Sequence, residues 1–186
     1  MLAALSVAFG CLMAQAPATP IALEIRVFQR GAELTAETRV TVHRAGDRGD
    51  PIGVIAAHET QVVLPAGIYD AQALRERDGR VLNIRWAERL VVMPYPDEAG
   101  QHLEVINFAA GYGALQVRGA RGSEDVTLYV AGERFKPAAT PHSGAGYVLF
   151  VVPAGVYDVH VRTDGASAWH PGIEVPLDRT RLWMVP

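Results

Sequence analysis

From Ile21 onward the chain alternates apolar and polar residues with a period of two. Ile21, Leu23, Ile25 and Val27 are interleaved with Glu24 and Arg26, the pattern of a strand with one face buried. Val40 and Val42 alternate with Thr41 and His43, and Tyr69, Ala71 and Ala73 alternate with Asp70 and Gln72. Leu103, Val105 and Phe108 continue the series. Uninterrupted apolar runs at Val62-Val63-Leu64 and Leu90-Val91-Val92-Met93 fit strands covered on both faces. No 3.6-residue period persists beyond two turns, so the pattern predicts an all-β protein. Pro51 to Glu59 (PIGVIAAHE) is compatible with either a helical turn or an extra strand.

The pattern occurs twice. Leu64-Pro-Ala-Gly-Ile-Tyr-Asp70 returns 88 residues later as Val152-Pro-Ala-Gly-Val-Tyr-Asp158. Around it LEIRV is matched by LQVRG, RVTVHRAG by VTLYVAGE, and HLEVINF by TRLWMVP, in the same order. This is an internal duplication in two copies. Each copy carries a full set of short strands punctuated by Gly and Pro, which predicts two tandem small antiparallel β-sandwich domains, with closed barrels as the structural rival. The expected units are residues 21–108 and 114–186, joined by a hinge at 109–113 (AAGYG). Cores this small make each large aromatic valuable, so Trp86 and Trp169 are expected to be core residues. On alternation with Leu182 and Met184, Trp183 is expected to point outward, where it either packs edge-on against the first half or meets a sugar ring or a partner.

Every residue of the repeated phrase has a scaffold role. Pro65 and Pro153 cannot donate to a ladder and end the preceding strand. Gly67 and Gly155 are expected at positive φ in a reversal. Tyr69 and Tyr157 begin the next strand facing inward, the ring buried and the hydroxyl kept for a backbone acceptor, as in a tyrosine corner. The following Asp70 and Asp158 cap the turn or pair with a neighbouring strand. The phrase, an apolar run followed by Pro-x-Gly-x-Tyr at the head of a strand, resembles the tandem modules of bacterial transthyretin-like and PEGA-like (Ig-like) β-sandwich proteins. The resemblance extends over both halves, from about Ile21 to Pro186. It implies the sandwich fold and a role in binding or attachment at the cell envelope, and it implies no catalytic residue.

Composition adds compartment and exclusions. The chain has 186 residues, 49% hydrophobic and 20% charged, with a net charge of −3 from 17 basic and 20 acidic residues spread without runs. Those values describe a globular protein and offer no basic face for nucleic acid. Residues 1–16, MLAALSVAFGCLMAQA, are uncharged, with an apolar run from Leu2 to Met13 and Ala14-Gln15-Ala16 at the end. That reads as a secretory signal peptide, too short to span a bilayer, followed by a Pro-bounded tether at residues 17–20. Cys11, the one cysteine, sits in Ala8-Phe9-Gly10-Cys11. This departs from a lipoprotein box at two positions, so a lipid anchor is the lesser reading. The exported product would then have neither disulfide nor thiolate chemistry.

Candidate chemistry is sparse. Arg48-Gly49-Asp50 spells an adhesion tripeptide inside a turn-rich loop, where chance explains it. His142, His160 and His170 with Asp158 lack the spacing of a metal motif, and the reading assigns no metal and no cofactor. Ser123, Ser143 and Ser167 sit in no nucleophile elbow, and Glu124-Asp125 is explained by turn duty. Aromatic side chains are the better candidates for contact: Trp169, Trp183, Tyr112 and Tyr129 could meet a sugar ring or a protein partner. The loops Arg44–Glu59 and Glu133–Gly146 offer further surface. The sequence therefore predicts an exported, non-catalytic interaction module of the envelope. Its expected partner is another envelope or secreted protein, and carbohydrate binding through the aromatics of the second half is the alternative.

Overall fold

The computed structural model describes residues 20–93, 101–163 and 165–186. The leader expected at residues 1–16, Cys11 within it and nearly all of the tether lie outside the described residues. Among those described, no helix is long and apolar enough to cross a membrane.

Period-two patterning is realised as strands throughout. The first half runs β1 (Ile21–Gln29), β2 (Ala32–Glu33), β3 (Thr38–Arg44), β4 (Gly53–Ile55), β5 (Gln61–Leu64), β6 (Gly67–Arg77), β7 (Arg80–Val92) and β8 (Gln101–Asn107). The second runs β9 (Tyr112–Arg118), β10 (Val126–Val130), β11 (His142–Gly144), β12 (Tyr147–Pro153), β13 (Gly155–Thr163), β14 (Ala166–Val175) and β15 (Thr180–Met184). Single 3₁₀ turns at Thr35–Glu37 and Ser123–Asp125 precede β3 and β10. Of the two readings for Pro51 to Glu59, the structure has the extra strand, β4.

The two halves are tandem β-sandwiches built to one plan. In the first, β1 pairs antiparallel with β2 and β5 and parallel with β8, while a second sheet runs β4-β3-β6-β7. In the second, β9 pairs antiparallel with β12 and parallel with β15, and the facing sheet runs β10-β13-β14. The opening strand of each half is thus clasped by its closing strand in parallel, whereas the other strand pairs among the described residues are antiparallel.

Three apolar clusters reveal a four-layer stack. Ile21, Leu23, Ile25 and Val27 of β1 pack on Val40, Val42, Ala71, Leu90 and Val92. Leu115, Val117, Phe150 and Val152 pack on Leu128, Tyr157, Val159 and Ile173. Between them, Phe28, Leu103 and Val105 of the β1 sheet meet Ala114, Tyr147, Leu149 and Val151 of the β9 sheet. The β1 and β9 sheets are therefore inner layers, and the β3-β6 and β10-β13 sheets are the outer ones.

At the connection between the halves, Phe108 N–H donates to Phe28 O (2.8 Å), Ala109 N–H to Asn107 Oδ1 (2.9 Å) and Ala154 N–H to Gly111 O (2.8 Å). Tyr112 and Gly113 already belong to β9. A Cβ at Gly113 would lie 1.9 Å from Pro176 O, so the chain crosses there at a distance only glycine permits. Gly67 and Gly155 are absent from the positive-φ residues. The tyrosine two residues later folds back over each of them instead, 3.1 Å from a Cβ placed at Gly67 and 3.7 Å at Gly155. Trp86 and Trp169 are half-buried on the outer faces, outside all three cores. Trp183 points the other way from the expectation: it registers with Val117 and packs into the second core.

Candidate functional site

The repeated phrase builds the site's floor. Tyr69 Oη donates to Pro65 O at 2.8 Å and Tyr157 Oη to Pro153 O at 2.6 Å, so each ring is buried and its hydroxyl satisfied. Burial raises both phenol pKa values, leaving the hydroxyls as donors. The aspartate that follows is on the opposite side of the strand and staples two loops. Asp70 accepts from Gly46 N–H (2.9 Å) and Arg89 N–H (2.7 Å), and Asp158 accepts from Gly132 N–H and Gly172 N–H, both at 3.1 Å. In each half the second donor sits at a β-bulge, where the β6–β7 and β13–β14 registers slip by one residue. Burial alone would raise the Asp70 pKa, but the two N–H donors and the Arg48 and Arg89 charges outweigh it and hold it below the ordinary value.

Beyond the staple, each outer face carries the same side-chain cluster. Gln72 of β6 registers with Trp86 of β7, and His160 of β13 with Trp169 of β14, two residues past the respective aspartates. His43 and Tyr129, each directly across from its aspartate, set a ring against the tryptophan at 5.3 and 5.1 Å between centroids. The loop glycine that donates to the aspartate is followed two residues on by an arginine. Arg48 lies 4.0 Å from the Trp86 ring centre and Arg134 lies 4.5 Å from that of Trp169, both within cation–π range. In the second half His160 adds a ring 4.6 Å from Trp169.

The clusters differ in how the arginine ends. Arg48 is ion-paired with Glu88, two residues after Trp86. The position two after Trp169 is Pro171, and among the described residues no acid stands within ion-pair distance of Arg134. Arg134 is exposed on a loop that returns antiparallel along β10 through the Tyr129–Pro137 bridge and Ala138 N–H to Leu128 O (2.7 Å). Its neighbour Phe135 is 100% exposed.

The four aromatics singled out from the sequence separate into two groups. Tyr129 and Trp169 come together in the cluster above. Trp183 is edge-on to His170 at 5.0 Å, and Tyr112 packs on the apolar contact between the inner sheets. The histidines also disperse. His142 stands edge-on to Phe28 at 4.9 Å, with its pKa lowered by burial and by Arg26, whereas His160 lies on Trp169 and Asp158 is engaged by backbone donors. The arginine of the RGD tripeptide is committed to Trp86 and Glu88 rather than to a free loop tip. Sequence reasoning missed both arginines and the surface role of Trp86. The signal was present as Ala45-Gly-Asp-Arg48 and Ala131-Gly-Glu-Arg134, with the arginines two residues and one residue past the end of the matched strings.

No family model matches the chain, and no curated protein matches it. Among solved structures it overlaps the TIE protein of Bacillus anthracis at 17% identity and a TM-score of 0.30, over 89% of this chain and 33% of that one. An adhesin candidate from Bacteroides ovatus matches at 10% identity and a TM-score of 0.31, over 100% of this chain and 95% of that one. The tip fimbrial protein Mfa3 of Porphyromonas gingivalis matches at 11% identity and a TM-score of 0.32, over 89% and 94%. The chain thus spans about a third of the TIE protein's length. At this degree of overlap these neighbours assign no function.

Proposed function

We propose that the chain is an exported, non-catalytic interaction module of the bacterial envelope, and that its outer sheet faces are the surfaces that bind. One observation carries this reading: the Arg–Trp–ring cluster recurs at equivalent positions on both outer faces, yet belongs to neither core. Buried residues recur in a duplicated fold because packing demands them. A half-buried tryptophan on a solvated face has no such demand behind it, and arginine with tryptophan and tyrosine is the composition of binding hot spots. Capture from envelope extracts on the immobilised protein, compared with Trp86→Ala and Trp169→Ala, tests it. Specific retention lost in a variant with unchanged melting supports the reading. Retention that is indifferent to both substitutions removes it.

Carbohydrate binding is a second reading, favoured by the convergence of Tyr129 and Trp169. Glycan-array signal abolished by Trp169→Ala would select it. The guanidinium already lying over each tryptophan weighs against it, because that is where a sugar ring would stack.

A further inference from the structure

We propose that the Arg134–Trp169 cluster is an acceptor for a glutamate or aspartate side chain of a partner protein, inserted where the first half places its own Glu88. This rests on the interaction-module reading and names the partner's chemistry.

The molecule contains its own template. Both halves present arginine over tryptophan, a second ring beside it, and the loop glycine tied to the aspartate staple. In the first half Glu88 completes the cluster by pairing with Arg48. In the second half Pro171 stands at that position and supplies no charge. Among the described residues Arg134 has a cation–π contact and no paired acid, and its planar donors suit a carboxylate.

The surroundings choose a protein occupant. Where the first loop reads Arg48-Gly49-Asp50, the second reads Arg134-Phe135-Lys136. The change removes an acid, adds a base and exposes a complete phenyl ring. Phe135, next to Arg134 in the chain and fully exposed, puts an apolar ring beside the charge, which matches a peptide carrying an acid next to an apolar residue.

The test uses the full chain and an acetylated, amidated Phe-Glu-Glu-Phe peptide, with Phe-Gln-Gln-Phe and polygalacturonate as comparison probes, followed by calorimetry and tryptophan fluorescence. The glutamate peptide is expected to bind one site per chain, more weakly at high salt, and the glutamine peptide at least about tenfold more weakly. Arg134→Ala should lose binding by a similar factor. Pro171→Glu should lose it because the new carboxylate fills the site from within. Glu88→Ala should raise the stoichiometry from one to two by opening the first cluster. Melting curves confirm that each variant is folded.

Equal binding of both peptides, no binding of either, or full binding by Pro171→Glu would each overturn the proposal. So would polygalacturonate binding in preference to the peptide, which would assign the site to an acidic saccharide. In any of these cases, capture that still depends on Trp169 would leave the interaction-module reading standing.

Discussion

Asp70 and Asp158 illustrate how much one carboxylate can organise. Each is buried, at 3% and 6% exposure, and each accepts two backbone N–H groups that would otherwise lack partners. Removing the acceptor leaves those donors unsatisfied, so Asp158→Ala should cost about 1–3 kcal/mol in urea unfolding and loosen the Arg134 loop. The depressed Asp70 pKa sets a direction with pH. Because the folded value lies below the ordinary 3.8, the contribution is present above about pH 4 and is lost as pH falls through the folded value. Glu33, lowered by its bonds to Arg26 despite burial, adds to the same acid-side loss. Asp70→Asn should flatten the acid limb of a stability-against-pH curve; an unchanged limb would detach the titration from this residue. The bulge donor completes the comparison. Arg89 has φ 56° where Gly172 has φ 76°, and a side chain in that left-handed region costs about 1–2 kcal/mol. Arg89→Gly should accordingly raise stability by about 1 kcal/mol, measured as a shift in urea midpoint.

The strand entered by the repeated phrase shows what alternation can and cannot reveal. Its inward tyrosine was legible because Pro breaks one strand and the period of two restarts at Tyr69 or Tyr157. The role of its glycine was misread, since Pro-x-Gly fits a positive-φ turn as readily as a flat floor under an aromatic ring. The structure leaves ordinary contact distance, 3.7 Å, at Gly155. Gly155→Ala should therefore be neutral or stabilise by about 0.4–1 kcal/mol through the unfolded chain, and a loss above about 1 kcal/mol would reinstate the strained turn. The tryptophans were unreadable for a related reason. Their face depends on a bulge that shifts register by one, and a one-residue slip exchanges the core and solvent sides. Trp183 was reversed because parallel pairing to β9, a long-range choice, decides its side. The paired arginines depend on loops whose course is fixed only by the aspartate staple, so their meeting with tryptophan has no local signature.

At the scale of the molecule, the duplication produces a stack in which the inner sheets meet through a mixed polar and apolar contact. Glu24 and Arg26 of β1 occupy the positions that Gln116 and Arg118 hold in β9, by their equivalent registers with the flanking strands. The two copies have diverged in satisfaction. Tyr147 Oη donates to Glu24 Oε1 at 2.6 Å, and Arg26 engages Glu33 at 2.9 Å through Nε. Burial and the Glu24 carboxylate raise the Tyr147 pKa, so the phenol remains a donor, and its contribution is present below about pH 10 and lost above it. Gln116 has no such luck: it is 0% exposed, and neither amide atom has a hydrogen-bond partner among the described residues. An unsatisfied buried amide costs about 1–3 kcal/mol, and an apolar side chain of similar volume removes that cost. Gln116→Leu should therefore stabilise the protein, in contrast to Tyr147→Phe, which removes a buried hydrogen bond to the Glu24 carboxylate and should destabilise it. Because both residues lie between the sandwiches, the urea midpoint of each variant should move as one transition if the stack unfolds as a unit. A midpoint lowered by Gln116→Leu would mean that the amide has partners the contact between the inner sheets does not supply. Two separate transitions would mean that this contact fails to couple the halves, and the opposed placement of the two outer clusters would then no longer be fixed.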